Sequence, residues 1–211
     1  LARDAVARRV PALGICLGHQ LLAVALGGRV ERNPAGQTVG LTPVRWTPEA
    51  AADPLVGSLV TPRRGIHWND DVVVTEPLGT VALARGADGT LQVARFAETA
   101  WGVQLHPEAD RAVVEEWAAG DAARHSERGL DQAALLEEIQ SAAAELRAAW
   151  EPLALAFAER CRQPDRVGGP AWTAAPCVAA CAAPSSGPAS PTPRWPRSAW
   201  SGSATGSVTR P

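Results

Sequence analysis

The chain has 211 residues, of which 46% are hydrophobic, and its formal net charge is −2. These values suit a globular domain with a full core rather than a disordered or membrane-embedded chain. Its 20 basic and 22 acidic residues are interspersed, so we expect no nucleic-acid-binding face. No apolar run reaches the ~20 residues of a membrane span, and no signal-peptide pattern opens the sequence. We therefore expect a cytoplasmic protein that does not bind membranes.

The first elements surround a short stretch, residues 14–20, with the sequence GICLGHQ. Residues 10–15 form an apolar run that predicts a strand, and residues 21–26 predict a helix that ends at Gly27. A strand, a sharp turn with a nucleophile at its centre and a helix form a nucleophile elbow. The sequence therefore places Cys16 at the turn.

The elbow geometry explains the residues around Cys16. The turn strains the backbone of its central residue, so the positions two before and two after it, Gly14 and Gly18, must be small. The sulfur then lies at a helix N-terminus, where unpaired N–H groups and the helix dipole favour a thiolate. The alternative is a buried cysteine that serves only packing.

The middle of the chain predicts a series of strands. They cover residues 29–31, 39–46, 72–75, 80–84 and 91–96, and helix starts are predicted at Thr47 and Asp53. Residues 66–71 are predicted as polar turn residues between strands. His67, within them, is interpreted as a hydrogen-bonded structural histidine.

Residues 100–105 predict a strand that delivers His106, Pro107 and Glu108. A cysteine nucleophile needs a base, and the base needs a group that orients it. Two residues apart on a strand, His106 and Glu108 would share a face. The alternative is a salt bridge at the end of a strand.

The C-terminal half predicts helices. One covers residues 109–119, with Val113, Val114 and Trp117 inward and Gly120 just beyond its end. Residues 131–161 carry an apolar stripe that packs on the chain's own sheet or on a partner, and Pro152 should kink or divide this run. From residue 163 the sequence is rich in proline and predicts disorder. The spacing of Cys161, Cys177 and Cys181 does not suit a metal site.

The two motifs together resemble those of the class I, or triad-type, glutamine amidotransferases. That family carries a G-x-C-x-G-x-Q elbow and a later H-P-E, matched here by Gly14, Cys16, Gly18 and Gln20 and by residues 106–108. The resemblance covers roughly residues 8–120 and looks closest to stand-alone members related to the glutaminase domain of GMP synthase.

The resemblance implies a fold and a domain organisation. The fold is an α/β fold, flavodoxin-like, with an open and mostly parallel sheet flanked by helices and lacking its first strands, as in an N-terminally truncated member. Residues 1–120 would form the amidotransferase domain, residues 121–162 a helical segment and residues 163–211 a disordered tail.

The resemblance also implies a reaction. Cys16, His106 and Glu108 would form the catalytic triad that releases ammonia from L-glutamine, with no metal or other cofactor. The backbone N–H of Leu17 would stabilise the oxyanion, and Gln20 would line the glutamine pocket or serve as a polar residue on the first helical turn. The ammonia acceptor would be a partner synthase.

Two alternatives remain open on the sequence. A γ-glutamyl peptidase or hydrolase would use the same triad on another γ-glutamyl bond. An inactive remnant, or a scaffold that binds a partner through the C-terminal helices, would not use it at all.

Overall fold

Strands dominate residues 12–103 and helices dominate the residues that follow. The computed structural model describes residues 1–61 and 63–162. The helices are α1 Ala2–Ala7, α2 Leu17–Ala25, α3 Arg111–Gly120, α4 Ala122–Glu127, α5 Gln132–Ser141 and α6 Ala143–Arg162. The strands are β1 Ala12–Ile15, β2 Arg29–Arg32, β3 Thr38–Trp46, β4 Arg63–Asn69, β5 Asp71–Thr75, β6 Val81–Arg85, β7 Leu91–Ala97 and β8 Ala100–Val103. The order of these elements gives the expected α/β class.

The main sheet is mixed, which corrects the expectation of a mostly parallel one. Its six strands run in the order β1-β8-β7-β6-β3-β4, and β2 pairs with β5 in a separate ribbon. Among the described strands β1 and β8 are parallel, whereas the other neighbours are antiparallel. The reason is connection length, because short turns join β6 to β7 and β7 to β8, and parallel strands need crossovers of a dozen or more residues.

The parallel pair brings the two sequence motifs together. Gly14 lies opposite Gly102 and Ile15 lies opposite Val103. The Cys16 N–H then donates to the Val103 carbonyl over 2.8 Å. Since the carboxyl ends of parallel strands meet at one edge of a sheet, the residues after β1 and after β8 become neighbours.

The prediction of a turn over residues 66–71 is wrong. Most of the segment belongs to β4, and β5 begins at Asp71. Along β4, Ile66 pairs with Leu41 and His67 with Gly40 of β3, and both Ile66 and His67 are buried. This long-range pairing outweighs the local turn preference of the polar residues.

The C-terminal stripe packs on the chain's own sheet, as predicted. Trp150, Leu153 and Phe157 of α6 share a core cluster with sheet residues such as Leu83 and Val103. The helix continues through Pro152, and the division between helices lies at Ala142, the C-cap of α5. Burial of Trp150 and Leu153 on either side of the proline favours the continuous helix.

Helix α3 differs from its prediction in two details. Gly120 is its last residue rather than the residue beyond it. Val114 and Ala118 are buried, whereas Val113 is exposed, because four-residue spacing defines the inner face and Val113 is rotated about 100° from it.

Two predictions concern other parts of the chain. The predicted tail, residues 163–211, with Cys177 and Cys181, lies outside the described residues. None of the helices within residues 1–61 and 63–162 combines the length and the hydropathy that a transmembrane span requires.

Candidate active site

Cys16 occupies the sharp turn between β1 and α2. Its φ is 46° and its ψ is −100°, a backbone conformation that residues other than glycine rarely adopt. The carbonyl of Cys16 accepts the first helical hydrogen bond, from Gln20 N–H, over 3.1 Å. The strained turn thus lies at a candidate nucleophile, as the elbow prediction requires.

The two elbow glycines are not equivalent. A Cβ atom at Gly14 would lie 2.4 Å from the backbone carbon and oxygen of Gly18 and 2.7 Å from the backbone nitrogen of His19. A Cβ atom at Gly18 would meet no heavy atom within 4 Å. The requirement for a small residue therefore holds at Gly14, but packing does not impose it at Gly18. The backbone of Gly18 occupies the space that a side chain at position 14 would need.

The N-terminus of α2 faces the sulfur with partial positive charge. Leu17 is the first residue of the helix, so its N–H belongs to the first turn, whose N–H groups lack intrahelical acceptors. Leu17 is 63% exposed. A role for its backbone N–H at the site stays a prediction.

His106 lies just beyond β8 and interacts with both Glu108 and Cys16. Its N–H donates to the Ile66 carbonyl over 2.7 Å, which fixes the backbone after the strand. The ring Nδ1 donates to Glu108 Oε1 over 2.7 Å. Because a carboxylate only accepts, this bond leaves Nε2 as the ring nitrogen free to act on Cys16, whose side chain is close enough to raise the pKa of the ring.

Burial and the neighbouring charged groups shift the pKa of His106 in opposite directions. Burial lowers the pKa of the imidazole, but hydrogen bonds to Cys16 and to Glu108, and the charges of both, raise it further, to about 9. At neutral pH the ring is therefore an imidazolium beside a sulfur and a carboxylate. This arrangement suits a thiolate–imidazolium pair.

Trp117 of α3 closes one side of the His106 ring. The two rings lie 4.5 Å apart between centroids, at 53°. The apolar spacing of α3 predicted Trp117 to point inward, but nothing in that spacing indicated its partner. The contact holds the imidazole in place by packing.

Gln104 contacts the sulfur and was not predicted as a site residue. Its Nε2 donates to Cys16 Sγ over 3.5 Å, and its Oε1 accepts from Gln20 Nε2 over 3.3 Å. The signal was present in the sequence, because Gln104 precedes His106 by two residues and alternate residues of an extended chain share a face.

Gln20 is a buried residue in this network. Its Nε2 also donates to the Asp71 carbonyl over 2.9 Å. Of the two interpretations of the sequence, these contacts favour a polar residue that joins α2 to its surroundings. A role in the glutamine pocket stays a prediction.

The side chains of β4 and of the junction between β4 and β5 have mainly structural contacts. His67 is buried, and its ring bonds with Thr42 over 2.5 Å and with Gln92 over 2.5 Å. Burial lowers the pKa of His67. Asp70 pairs with Arg32 and with Arg124.

His19 follows Cys16 by three residues and packs into the core. It is fully buried against Gly102 and Phe96, and neither ring nitrogen makes a well-formed hydrogen bond. Burial lowers its pKa to about 4, and the nearby backbone of Gly102 offsets only part of this effect. The ring is therefore neutral at neutral pH.

The described residues contain no cluster of three or more His, Cys, Asp or Glu side chains arranged to hold a metal ion. What the site does bring together is sulfur, imidazole and carboxylate in series. That order matches a nucleophile, its base and the group that orients the base.

Residues 1–114 match the family described as glutamine amidotransferase class-I. A glutamine-hydrolysing GMP synthase subunit from Halobacterium salinarum is 40% identical over 107 residues, which are 50% of this chain and 57% of that protein. The protein of the same name from Saccharolobus solfataricus is 35% identical over 126 residues, 58% of this chain and 56% of that protein. The chain thus spans about half the length of the curated relatives it matches.

Solved structures show the same fold. A glutamine amidotransferase from Methylobacillus flagellatus superposes with a TM-score of 0.63 at 26% identity, over 75% of this chain and 66% of that one. A glutamine amidotransferase from Thermotoga maritima superposes with a TM-score of 0.64 at 22% identity, over 76% and 66%. The mixed sheet and its flanking helices are therefore an established architecture.

Proposed function

The chain belongs to the class I glutamine amidotransferases, and from this we propose that it hydrolyses the side-chain amide of L-glutamine to glutamate and ammonia. One observation carries the proposal. The ring of His106 hydrogen-bonds the Glu108 carboxylate and interacts with the Cys16 side chain closely enough for the sulfur to raise its pKa. These are the three functional groups, in the required order, for covalent catalysis by cysteine.

The proposed reaction starts with the Cys16 thiolate. It attacks the δ-carbon of glutamine, and the tetrahedral intermediate places its negative oxygen near the Leu17 N–H. The His106 imidazolium gives a proton to the departing nitrogen, so the C–N bond breaks and ammonia leaves. A γ-glutamyl thioester remains on Cys16.

The second half returns the enzyme to its starting state. The now neutral His106 takes a proton from a water molecule, which attacks the thioester carbon. The C–S bond breaks, glutamate leaves and Cys16 is again a thiolate. Glu108 holds the ring orientation and stabilises its charged form in both halves. No step calls for a metal ion.

The relatives suggest where the ammonia goes. The curated relatives described above are named as subunits of a glutamine-hydrolysing GMP synthase. We propose that this chain likewise supplies ammonia to a partner synthase.

Ammonia release tests the proposed function. We expect the chain to release ammonia from glutamine, and Cys16→Ala to reduce the rate at least about 10³-fold because it removes the nucleophile. Cys161→Ala is the matched control, since this cysteine packs on the core from α6, and it should retain activity. A glutamine-derived diazo ketone should label Cys16 in a mass-spectrometric peptide map.

Three outcomes would separate the alternatives. Ammonia release that Cys16→Ala leaves unchanged would contradict the proposed nucleophile. Release of an amine from a γ-glutamyl conjugate, without ammonia from glutamine, would indicate a γ-glutamyl hydrolase. No turnover and no labelling of Cys16 would indicate an inactive remnant.

A further inference from the structure

A chain of hydrogen bonds runs from the backbone of β5 to the sulfur of Cys16. It starts at the Asp71 carbonyl, which accepts from Gln20 Nε2, continues from that same nitrogen to Gln104 Oε1, and ends with Gln104 Nε2 donating to Cys16 Sγ. Gln104 and Cys16 are 88 positions apart in the sequence. The triad does not include either glutamine.

The first acceptor determines how both glutamine amides in this hydrogen-bond chain are oriented. A backbone carbonyl can only accept, so the amide of Gln20 must turn its NH₂ group towards Asp71. That same NH₂ group faces Gln104, which must therefore present its oxygen to Gln20. The other end of the Gln104 amide is then its NH₂ group, and it faces the sulfur. The amide orientation thus follows from a group whose polarity is certain.

Burial holds this arrangement in place. The Gln104 side chain is fully buried, and its backbone N–H donates to the Gln92 carbonyl over 2.7 Å. A buried amide without partners is costly, so the side chain is confined to the orientation that satisfies both of its ends. The sulfur therefore meets a fixed neutral donor in addition to its interaction with the His106 ring.

We infer that Gln104 is a positioning residue, which donates to the Cys16 sulfur, favours its anionic form and holds it towards His106, while Gln20 fixes the direction of the Gln104 amide. The catalytic role of Gln104 rests on the proposed function, whereas its hydrogen bond to Cys16 is independent of that function. A charged sulfur gains more from an N–H donor than a neutral thiol does. Gln104 thereby supplements the helix N-terminus and the imidazolium.

The pH dependence of Cys16 alkylation tests this role, because it reports the thiolate without requiring turnover. The titratable groups that bear on the sulfur are His106 and, through it, Glu108, and His67 of β4 interacts electrostatically with His106. Iodoacetamide is the probe, and the rate at Cys16 is followed by mass spectrometry between pH 5 and 10. We expect Gln104→Leu to move the pH midpoint upward by about one unit, the size expected for losing one hydrogen bond to a charged group.

Two further variants keep the test decisive if Gln104→Leu does not fold. Gln104→Glu preserves the shape and the acceptor for Gln20 but replaces the donor with a negative charge, so it should move the midpoint further upward. Gln20→Leu frees the Gln104 amide to rotate and should cause a smaller upward shift. Gln37→Leu is the matched control, because Gln37 is also buried but bonds to Asp121, His125 and Arg128, and its midpoint should equal that of the wild type.

The inference is overturned if folded Gln104→Leu or Gln104→Glu keeps the wild-type midpoint, or if Gln37→Leu shifts it equally. Circular dichroism establishes that each variant is folded. Failure of the proposed function looks different. In that case the wild-type chain would not release ammonia, yet the alkylation midpoint would still depend on Gln104.

Discussion

Two histidines near the elbow, His106 and His19, have pKa values shifted in opposite directions. His106, on the side of the sulfur, has its pKa raised to about 9 because hydrogen bonds and charges from Cys16 and Glu108 outweigh the effect of burial. His19, on the side of the core, has its pKa lowered to about 4 because burial dominates. Burial is thus common to both, and the partners decide the charge.

The contrast distinguishes a histidine with a packing role, His19, from one suited to acid–base chemistry, His106. A buried imidazole without charged partners behaves as a neutral packing group, even three residues from a nucleophile. A buried imidazole between a sulfur and a carboxylate becomes a charged acid–base group. The two rings have different partners, so changes to the turn, to the core side and to the site side should have distinct effects.

The largest expected effect is on the turn itself. Gly14→Ala should destabilise the fold by about 3 kcal/mol or more, because its Cβ would overlap the backbone of Gly18, which cannot move away as a side chain can. Alkylation of Cys16 should also slow as the turn distorts. Chemical denaturation and iodoacetamide kinetics measure the two effects.

Gly18→Ala is the matched control for the turn. Its Cβ would enter open space, so the free energy of unfolding should stay within about 1 kcal/mol of the wild type. Equal losses in the two variants would show that the asymmetry between the glycines is wrong.

The next largest effect concerns the core side of the elbow. The pKa of folded His19, about 4, lies below its ordinary value of 6.5, so between these pH values the unfolded chain binds a proton that the folded chain does not. Its contribution to stability is therefore complete above pH 6.5 and is lost as the pH falls towards 4, by about 3 kcal/mol. His19→Leu should remove this part of the pH dependence.

Urea denaturation of both proteins at pH 7 and pH 4.5 measures the difference. Because His67, His125 and the carboxylates are common to both chains, their contributions cancel in the comparison. Parallel stability curves for wild type and His19→Leu would contradict the lowered pKa.

The smallest of the three effects concerns the site side. Glu108→Gln removes the carboxylate that helps to raise the pKa of His106, so the imidazolium should lose its proton at lower pH. We expect the alkaline limb of kcat/KM for glutamine to move down by about one pH unit, with a roughly tenfold lower value at neutral pH. An unchanged alkaline limb would mean that Glu108 does not set the charge of the ring.

The local parts of the site could be predicted from the sequence. The elbow at Cys16 depends on neighbours within a few residues, and its glycines and apolar flanks indicate it. The strand that delivers His106, and the stripe that includes Trp150 and Leu153, follow from the spacing of apolar residues.

Long-range pairing explains what the sequence did not reveal. Residues 66–69 are strand because β3 pairs with them, although their own preference is for a turn. The mixed sheet follows from which strands become neighbours, which periodicity does not encode. Gln104 was missed because its importance lies in contacts with Gln20 and Cys16, far away in the sequence.

The charge of His106 is the central claim, and an NMR titration of its ring measures it most directly. In the wild-type chain, ring resonances assigned by comparison with His106→Gln should titrate with a pKa of about 9. In Cys16→Ala the pKa should fall, because the hydrogen bond and the charge of the sulfur are both lost. A pKa near the ordinary value of 6.5 in the wild type, unchanged by Cys16→Ala, would contradict the thiolate–imidazolium pair.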